Sequence, residues 1–155
     1  MNKQPLAIEI IEADLTQLDY LVQANIDLAL ETEALNLDYK TVEAGTKAVL
    51  EEPKLGLYFI AMHQGEVIAS MLITKEWSDW RNNNNAWIQS LFVQKPYRSQ
   101  GVFKQLFKHL EKLCNKGVFS GIRLYADRHN QNAIKIYQNL GLNDQHYIFF
   151  EKMNN

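Results

Sequence analysis

The sequence has 155 residues, of which 46% are apolar and 22% charged, the size and composition of one globular domain. We therefore expect a single domain over residues 1–155. The formal net charge of −2 argues against a strongly basic, nucleic-acid-coating protein. A lone cysteine, Cys114, excludes an internal disulfide framework and a multi-cysteine zinc site. No apolar run approaches the ~20 residues that cross a bilayer, and no leader pattern is evident. We expect a cytoplasmic protein with no metal and no membrane or nucleic-acid partner.

The first half of the sequence predicts a strand, two helices and two further strands. Residues Ala7 to Glu12 are rich in β-branched side chains, as strands are. Asp14 is placed to cap a helix whose apolar positions from Leu15 to Ala29 recur about every 3.6 residues. The remaining predicted elements are a helix, two strands and the tight turn that joins them: Tyr39–Leu50, Leu57–Met62, Val67–Thr74 and the turn at Gly65.

The second half alternates strands and helices, a pattern that predicts a parallel strand pair. The four asparagines Asn82 to Asn85 predict a loop, because asparagine favours turns. The amphipathic run Gly101–Asn115 predicts a helix that ends at Gly117. The other predicted elements are the helix Asn130–Gly141 and three strands: Trp87–Val93, Ile122–Ala126 and Tyr147–Lys152. The predicted order is β-α-α-β-β-β-α-β-α-β.

The stretch from Trp87 to Leu106 places a strand, a short polar turn and the start of an amphipathic helix in direct succession. The N–H groups at a helix start have no partner within the helix, and the helix dipole adds partial positive charge there. The junction is therefore suited to bind an anion such as a phosphate, and Gly101 lets a ligand approach the backbone closely. A plain strand-to-helix connection has the same pattern. The glycine-lysine loop and the GxGxxG motif of nucleotide-binding proteins are absent.

Two motifs resemble those of the GNAT N-acetyltransferases. The run Arg98-Ser99-Gln100-Gly101-Val102-Phe103 is similar to the family's acyl-CoA-binding motif, Gln/Arg-x-x-Gly-x-Gly/Ala, with Phe103 in place of the last small residue. The run from Asn130 to Tyr137, followed by Gly141-Leu142, is similar to the family's element N-x-x-A-x-x-x-Y-x-x-x-G-[FL]. The order of motifs and elements agrees with the family over nearly the whole chain.

The resemblance implies an α/β (α+β) GNAT fold, with a mixed, mostly antiparallel sheet of about six to seven strands flanked by about four helices. It implies acetyl-CoA as the co-substrate, without a metal. The pantetheine arm would pair with the strand before the turn, at Leu91 and Val93, where the family's strand carries a bulge and splays from its neighbour. The N–H near Phe92 or Val93 would polarise the thioester carbonyl. The implied pyrophosphate donors are the N–H groups of Arg98, Ser99, Gln100, Gly101, Val102 and Phe103, and the ring of Phe103 would turn toward the core.

The second motif implies that Asn130 bonds the pantetheine arm, that Ala133 lines the cofactor site and that Tyr137 protonates the leaving thiolate. The residues also allow simpler roles, since Asn130 is suited to cap its helix and Tyr137 has the spacing of a core aromatic. The implied reaction is direct acetyl transfer to a primary amine in a ternary complex. Because it needs no covalent intermediate, Cys114 is interpreted as a small core residue.

The sequence does not identify the base that takes a proton from the amine. A lysine-like amine has a pKa near ~10 and arrives protonated, so a proton acceptor within reach is needed. The strand Ala86–Val93 contains no carboxylate. The candidates are therefore Glu76 and Asp79, then Glu31 and Glu33 at the end of the first helix, or a chain of water molecules.

The acceptor is expected to be a small-molecule or peptide amine. Trp77 and Trp80 either pack the hairpin or wall an acceptor pocket, where they would stack on a cationic amine. The alternative function is a GNAT-like module that binds CoA without transfer, as a sensor or interaction protein, and the missing strand carboxylate favours it. Because sheet edges of this kind often pair, a homodimer is a further expectation.

Overall fold

The computed structural model describes residues 5–154, and the chain forms two compact units, Met1–Arg123 and Leu124–Asn155. The first four residues, which belong to the N-terminal stretch expected to lack a leader, lie outside the described part. The strands are β1 (Glu9–Glu12), β2 (Leu57–His63), β3 (Glu66–Ser78), β4 (Asn83–Val93) and β5 (Ile122–Arg123). The α-helices are α1 (Leu18–Glu33), α2 (Tyr39–Glu51), α3 (Val102–Asn115) and α4 (Gln131–Asn139). Within residues 5–154, the structure shows no helix of the length and apolarity that a membrane span requires.

The five strands form one sheet in the order β1-β2-β3-β4-β5. The pairs β1–β2, β2–β3 and β3–β4 are antiparallel, and β5 runs parallel to β4. The antiparallel meander and the parallel pair are both confirmed. The parallel ladder is short, because it joins only Ala86 to Ile122 and Trp87 to Arg123.

The asparagine run is not a loop, which corrects the sequence prediction. Asn83, Asn84 and Asn85 belong to β4, where they pair with the last residues of β3, and the turn lies just before them. Asn82 has a φ of 49°, a left-handed conformation that asparagine tolerates. The side chain of Asn85 is buried and accepts a hydrogen bond from Ser120 Oγ at 2.9 Å. The ladder with β3 therefore outweighs the turn preference of asparagine.

The last predicted strand is also wrong, since residues 147–152 form no strand among residues 5–154. The sheet consequently has five strands rather than six or seven. A run of aromatic and β-branched residues becomes a strand only when its backbone groups join a ladder. Inside the unit Leu124–Asn155, Phe149 instead stacks on Tyr125, with ring centroids 5.0 Å apart and planes 17° from parallel.

Helices α1 and α3 cover opposite faces of the sheet. Successive side chains of a strand point to opposite faces. On β2, Tyr58 and Ile60 form a cluster with Leu21 of α1, whereas Phe59 packs against His109 of α3 at a ring distance of 4.9 Å. The cross-strand pairs then place Ser70 of β3 and Phe92 of β4 on the α1 face.

The apolar stripe of α3 forms the core on the other face, as its spacing predicts. Val102, Leu106 and Leu110 are almost fully buried. Gly117 follows the helix with a φ of 78°, the left-handed conformation that glycine adopts readily after a helix end. The burial of α3 holds its first turn in a fixed position beside the end of β4.

Two glycines give a matched test of how closely the backbone packs beside β3. A Cβ on Gly56 would lie 2.8 Å from the carbonyl oxygen of Ile73, so Gly56→Ala must displace backbone. We expect the free energy of unfolding to fall by about 1–3 kcal/mol. A Cβ on Gly45, inside α2, meets nothing within 4 Å, so Gly45→Ala should raise stability by about 0.5–1 kcal/mol. Urea denaturation measures both, and equal midpoints for the two variants would contradict the expectation.

Candidate functional site

A β-bulge lies in the second half of β4. Leu72 of β3 pairs with Ser90, and the next residue, Ile73, pairs with Ile88, so that Gln89 is the extra residue. The ladder to β5 involves only Ala86 and Trp87, which lie before the bulge. Among residues 5–123, the stretch from the bulge to Val93 therefore has a neighbouring strand on one side only. The bulge that the resemblance implies is therefore present in this strand.

The direction of the backbone groups along this stretch follows from two hydrogen bonds. The Gln94 N–H donates to Ile68 O on the β3 side at 2.9 Å, whereas the Ala86 N–H donates to Gly121 O on the β5 side at 2.8 Å. Antiparallel residues alternate between groups that face the partner strand and groups that face away. Leu91 and Val93 therefore direct their N–H and C=O groups away from β3, and Phe92 directs its own toward β3. Of the two predicted donors, Phe92 and Val93, the geometry favours Val93.

The turn between β4 and α3 is compact and closed by its own hydrogen bonds. A 3-10 turn spans Lys95–Tyr97, the Arg98 N–H donates to Lys95 O at 3.3 Å, and Gln100 Nε2 donates to Pro96 O at 2.7 Å. The N–H of Arg98 is thus already bonded within the turn. The remaining predicted pyrophosphate donors therefore begin with the N–H of Ser99.

Two residues of this turn have left-handed backbones. Ser99 has a φ of 61° and Gly101 a φ of 77°, which reverses the chain into α3. The first helical bond runs from the Gln105 N–H to Gly101 O at 3.1 Å, so the helix itself offers no acceptor to the N–H groups of its first turn. Together with the helix dipole, these donors make the turn suited to an anion. The ring of Phe103 contacts Phe107 at 6.0 Å, as the core stripe predicts.

The side chain of Arg98 links the turn to both β4 and α1. Its Nε donates to Val93 O at 2.8 Å, and its Nη2 bonds Glu31 Oε2 at 2.7 Å. Lys95 Nζ lies 3.3 Å from the other oxygen of Glu31, and the guanidinium lies 5.7 Å from the ring centre of Phe92. The hydrogen bond from Arg98 is the main cause that lowers the pKa of Glu31. Glu31 is therefore a poor proton acceptor, although the sequence offered it as one.

The other candidate bases lie away from this end of β4. Glu76 pairs with Asn85 in the ladder, and both of its oxygens accept from Arg123 Nη1, at 2.8 and 3.1 Å. Asp79 lies in the following hairpin turn, where it accepts from the Trp80 N–H at 3.0 Å. At about 3.4 Å per residue, roughly 20 Å of strand separates Asn85 from Leu91. The structure does not bring Glu76 or Asp79 together with Leu91 and Val93.

The two tryptophans of this hairpin are largely exposed, Trp77 at 60% and Trp80 at 91%. Because they lie at the same distant end of β3 and β4, their exposure lends no support to an acceptor pocket beside Val93. Glu33, the remaining carboxylate candidate, is exposed in the last turn of α1.

Asn130 caps α4, since its Oδ1 accepts the N–H of Ala133 at 3.1 Å. The capping role is thereby confirmed, and the roles of Asn130, Ala133 and Tyr137 toward a cofactor stay predictions. Burial raises the pKa of the Tyr137 phenol above its ordinary value near 10. Tyr137 therefore keeps its proton at neutral pH, as a proton donor must. Cys114 is half-buried on α3, and burial raises the pKa of its thiol, which suits a core residue and not a nucleophile.

A cleft on the α1 face was not predicted from the sequence. It has a volume of about 470 Å³ and lies between α1, the end of β4 and the 3-10 turn. From α1 it is lined by Tyr20, Gln23, Ala24, Asp27, Leu30 and Glu31, and from the other side by Phe92, Gln94, Lys95 and Pro96. The sequence did contain a signal for this cleft. Its α1 residues recur at intervals of three and four, which places them on one helix face.

Comparison with known proteins identifies the family. The model of the Acetyltransferase (GNAT) family matches residues 21–142. A protein of Clostridium difficile 630, described as a possible acetyltransferase, is 38% identical, with a TM-score of 0.89 over 96% of this chain and 98% of that one. An aminoglycoside N-acetyltransferase solved in complex with CoA is 16% identical and shares the fold, with a TM-score of 0.77 over 100% of this chain and 99% of that one.

Among curated proteins, an Arabidopsis thaliana N-alpha-acetyltransferase is 28% identical over 85 residues. That match covers 55% of this chain and 44% of the relative, so the chain spans less than half of that protein. The family match runs through the bulged strand, the turn and α4, and it covers most of the sequence. The chain belongs to the GNAT family of acetyltransferases and has its mixed, mostly antiparallel fold.

Proposed function

We propose that the protein transfers the acetyl group of acetyl-CoA to a primary amine by direct attack in a ternary complex. One observation carries the proposal: the outward backbone groups of Leu91 and Val93 lead directly into a turn whose N–H groups suit an anion. A pantetheine arm has amides that pair with a strand edge, and the pyrophosphate next to it is an anion. The order of the two subsites along the chain matches the order of these groups in CoA.

The residues present fit CoA on chemical grounds. Leu91 offers an outward N–H and C=O, and Val93 offers an outward N–H, while Arg98 already occupies the Val93 carbonyl. The pyrophosphate donors are the N–H groups from Ser99 through Phe103. Because backbone donors and the helix dipole supply this site, the net charge of −2 is no obstacle. Asn130 and Ala133 are proposed to contact the pantetheine arm, as the family resemblance implies.

In the proposed reaction, an outward N–H near the end of β4, at Leu91 or Val93, stabilises negative charge that develops on the thioester oxygen. The amine nitrogen forms a bond to the carbonyl carbon, the carbon–sulfur bond breaks, and the thiolate takes the proton of Tyr137. The phenol is suited to this step because its raised pKa keeps it protonated. Of the carboxylates that the sequence offered as bases, Glu31 and Glu76 are held by cations, so a water chain or another group takes the amine proton.

Relatives support amine acetylation as a class rather than one acceptor. The names of the relatives include an N-alpha-acetyltransferase and an aminoglycoside N-acetyltransferase, and both kinds of acceptor present an amine. We propose a small-molecule or peptide amine acceptor and a single domain over residues 1–155. The alternative is a module that binds CoA without transferring the acetyl group. Measured CoA binding without thiol release for a panel of amines would favour that alternative.

Gly101→Glu is expected to weaken CoA binding at least tenfold, because a carboxylate would then stand at the proposed pyrophosphate site. Gly117→Glu is the matched control, since it adds the same charge to a glycine of similar φ at the other end of α3. Isothermal titration calorimetry with CoA measures both variants. Equal CoA affinities for the two would place the pyrophosphate elsewhere.

Tyr137→Phe is expected to lower kcat by about 10²–10⁴-fold while leaving CoA affinity nearly unchanged, because the variant loses only the proton donor. The acid form is present below the pKa of the phenol and is lost above it. Since burial raises that pKa, the wild-type kcat should not fall through this group until the pH exceeds about 10. Thiol release monitored across pH measures this, with the exposed Tyr39→Phe as the control. An unchanged kcat in Tyr137→Phe would remove Tyr137 from the mechanism.

A further inference from the structure

The cleft on the α1 face lies where an acceptor would meet the proposed thioester. Phe92 lines the cleft, and it lies between Leu91 and Val93, whose outward N–H groups are the proposed carbonyl donors. The α1 helix forms the opposite wall. A ligand held in this cleft therefore approaches the end of β4 from the α1 face. That this approach leads to a thioester rests on the proposed function.

The charges that line the cleft divide into a compensated group and a single carboxylate. Glu31 holds two cations, Arg98 at 2.7 Å and Lys95 at 3.3 Å. Asp27 lies one helical turn earlier and accepts only from Gln23 Nε2, at 2.8 Å. Within residues 5–154, no lysine, arginine or histidine lies at ion-pair distance from Asp27. Asp27 is thus the cleft carboxylate that still lacks a cation.

The remaining wall is mainly apolar or neutral. Ala24, Leu30, Phe92 and Pro96 contribute carbon surface. Tyr20 adds a ring whose hydroxyl is buried beside Gln94. Burial raises the pKa of Tyr20 to about 12, so the phenol adds no negative charge that would compete with Asp27. An unpaired carboxylate beside carbon surface is complementary to a cation that carries an apolar body.

We infer that the cleft is the acceptor site, that it takes an organic ammonium ion with an apolar body, and that Asp27 is its counter-ion. Asp27 then determines specificity, because it distinguishes an ammonium from a neutral group of the same shape. Among residues 5–154, Asp27 caps no helix and pairs with no cation, and only its Oδ1 accepts a hydrogen bond. The assignment also adds a carboxylate that is absent from the candidates named by sequence.

Tyramine and its neutral alcohol analogue tyrosol provide matched probes, because they differ only in the group that would face Asp27. Titration of the ¹⁵N-labelled full chain is expected to shift the amide signals of Ala24 and Leu30 with tyramine and not with tyrosol. Asp27→Asn should weaken tyramine binding by about tenfold, the size expected for loss of one charged hydrogen bond. Asp27→Glu, which keeps the charge, should restore most of the affinity.

The control is Asp19→Asn, which makes the same change at an exposed residue in the first turn of α1, outside the cleft. Equal tyramine affinities for Asp27→Asn and Asp19→Asn would overturn the inference, as would equal shifts from tyrosol or an absence of shifts in the cleft. Calorimetry with CoA on the same samples separates the two proposals. CoA binding without a tyramine response leaves the proposed function in place and removes the acceptor assignment, whereas the reverse result removes the CoA site.

Discussion

One extra residue in β4 sets the geometry on which the proposed chemistry depends. Before Gln89, the outward backbone groups belong to residues such as Ala86, which bonds toward β5. After it, the outward groups belong to Leu91 and Val93. Without the bulge, Phe92 would face outward and its side chain would change faces, because strand side chains alternate. The bulge thus allows the same strand to bury Phe92 on the α1 face and to present the Val93 N–H at the open edge.

Arg98 extends this constraint to the neighbouring elements. Its guanidinium joins Val93, Glu31 and the face of Phe92, so the end of β4, the turn and α1 hold one another in place. Glu31 serves here as an anchor rather than as a base. Because Arg98 and Lys95 are engaged by Glu31, the anion site relies on backbone N–H groups, whose direction is fixed by the helix. The cleft on the α1 face, the proposed acceptor site, is lined by residues of these same elements.

Much of the fold was predictable because its signals are local. The helix limits, the turn at Gly101 and the cap at Asn130 each follow from a few adjacent residues. Residues Asn83–Asn85 and 147–152 were assigned wrongly because strand formation depends on a ladder with a distant segment. The pairing of Glu76 with Arg123 and the cleft around Asp27 were missed for the same reason. They depend on strand register and helix packing, which determine the neighbours of a side chain but leave no pattern at one place in the sequence.

The bond between Arg98 and the Val93 carbonyl also limits what another strand could pair with along this part of β4. An unpaired strand edge is a template on which another chain can add a strand, and proteins often protect such edges with a bulge or a positive charge. Here the bulge at Gln89 interrupts the edge at one end, and Arg98 occupies its last carbonyl at the other. The outward groups that remain are too few to hold a foreign strand in register.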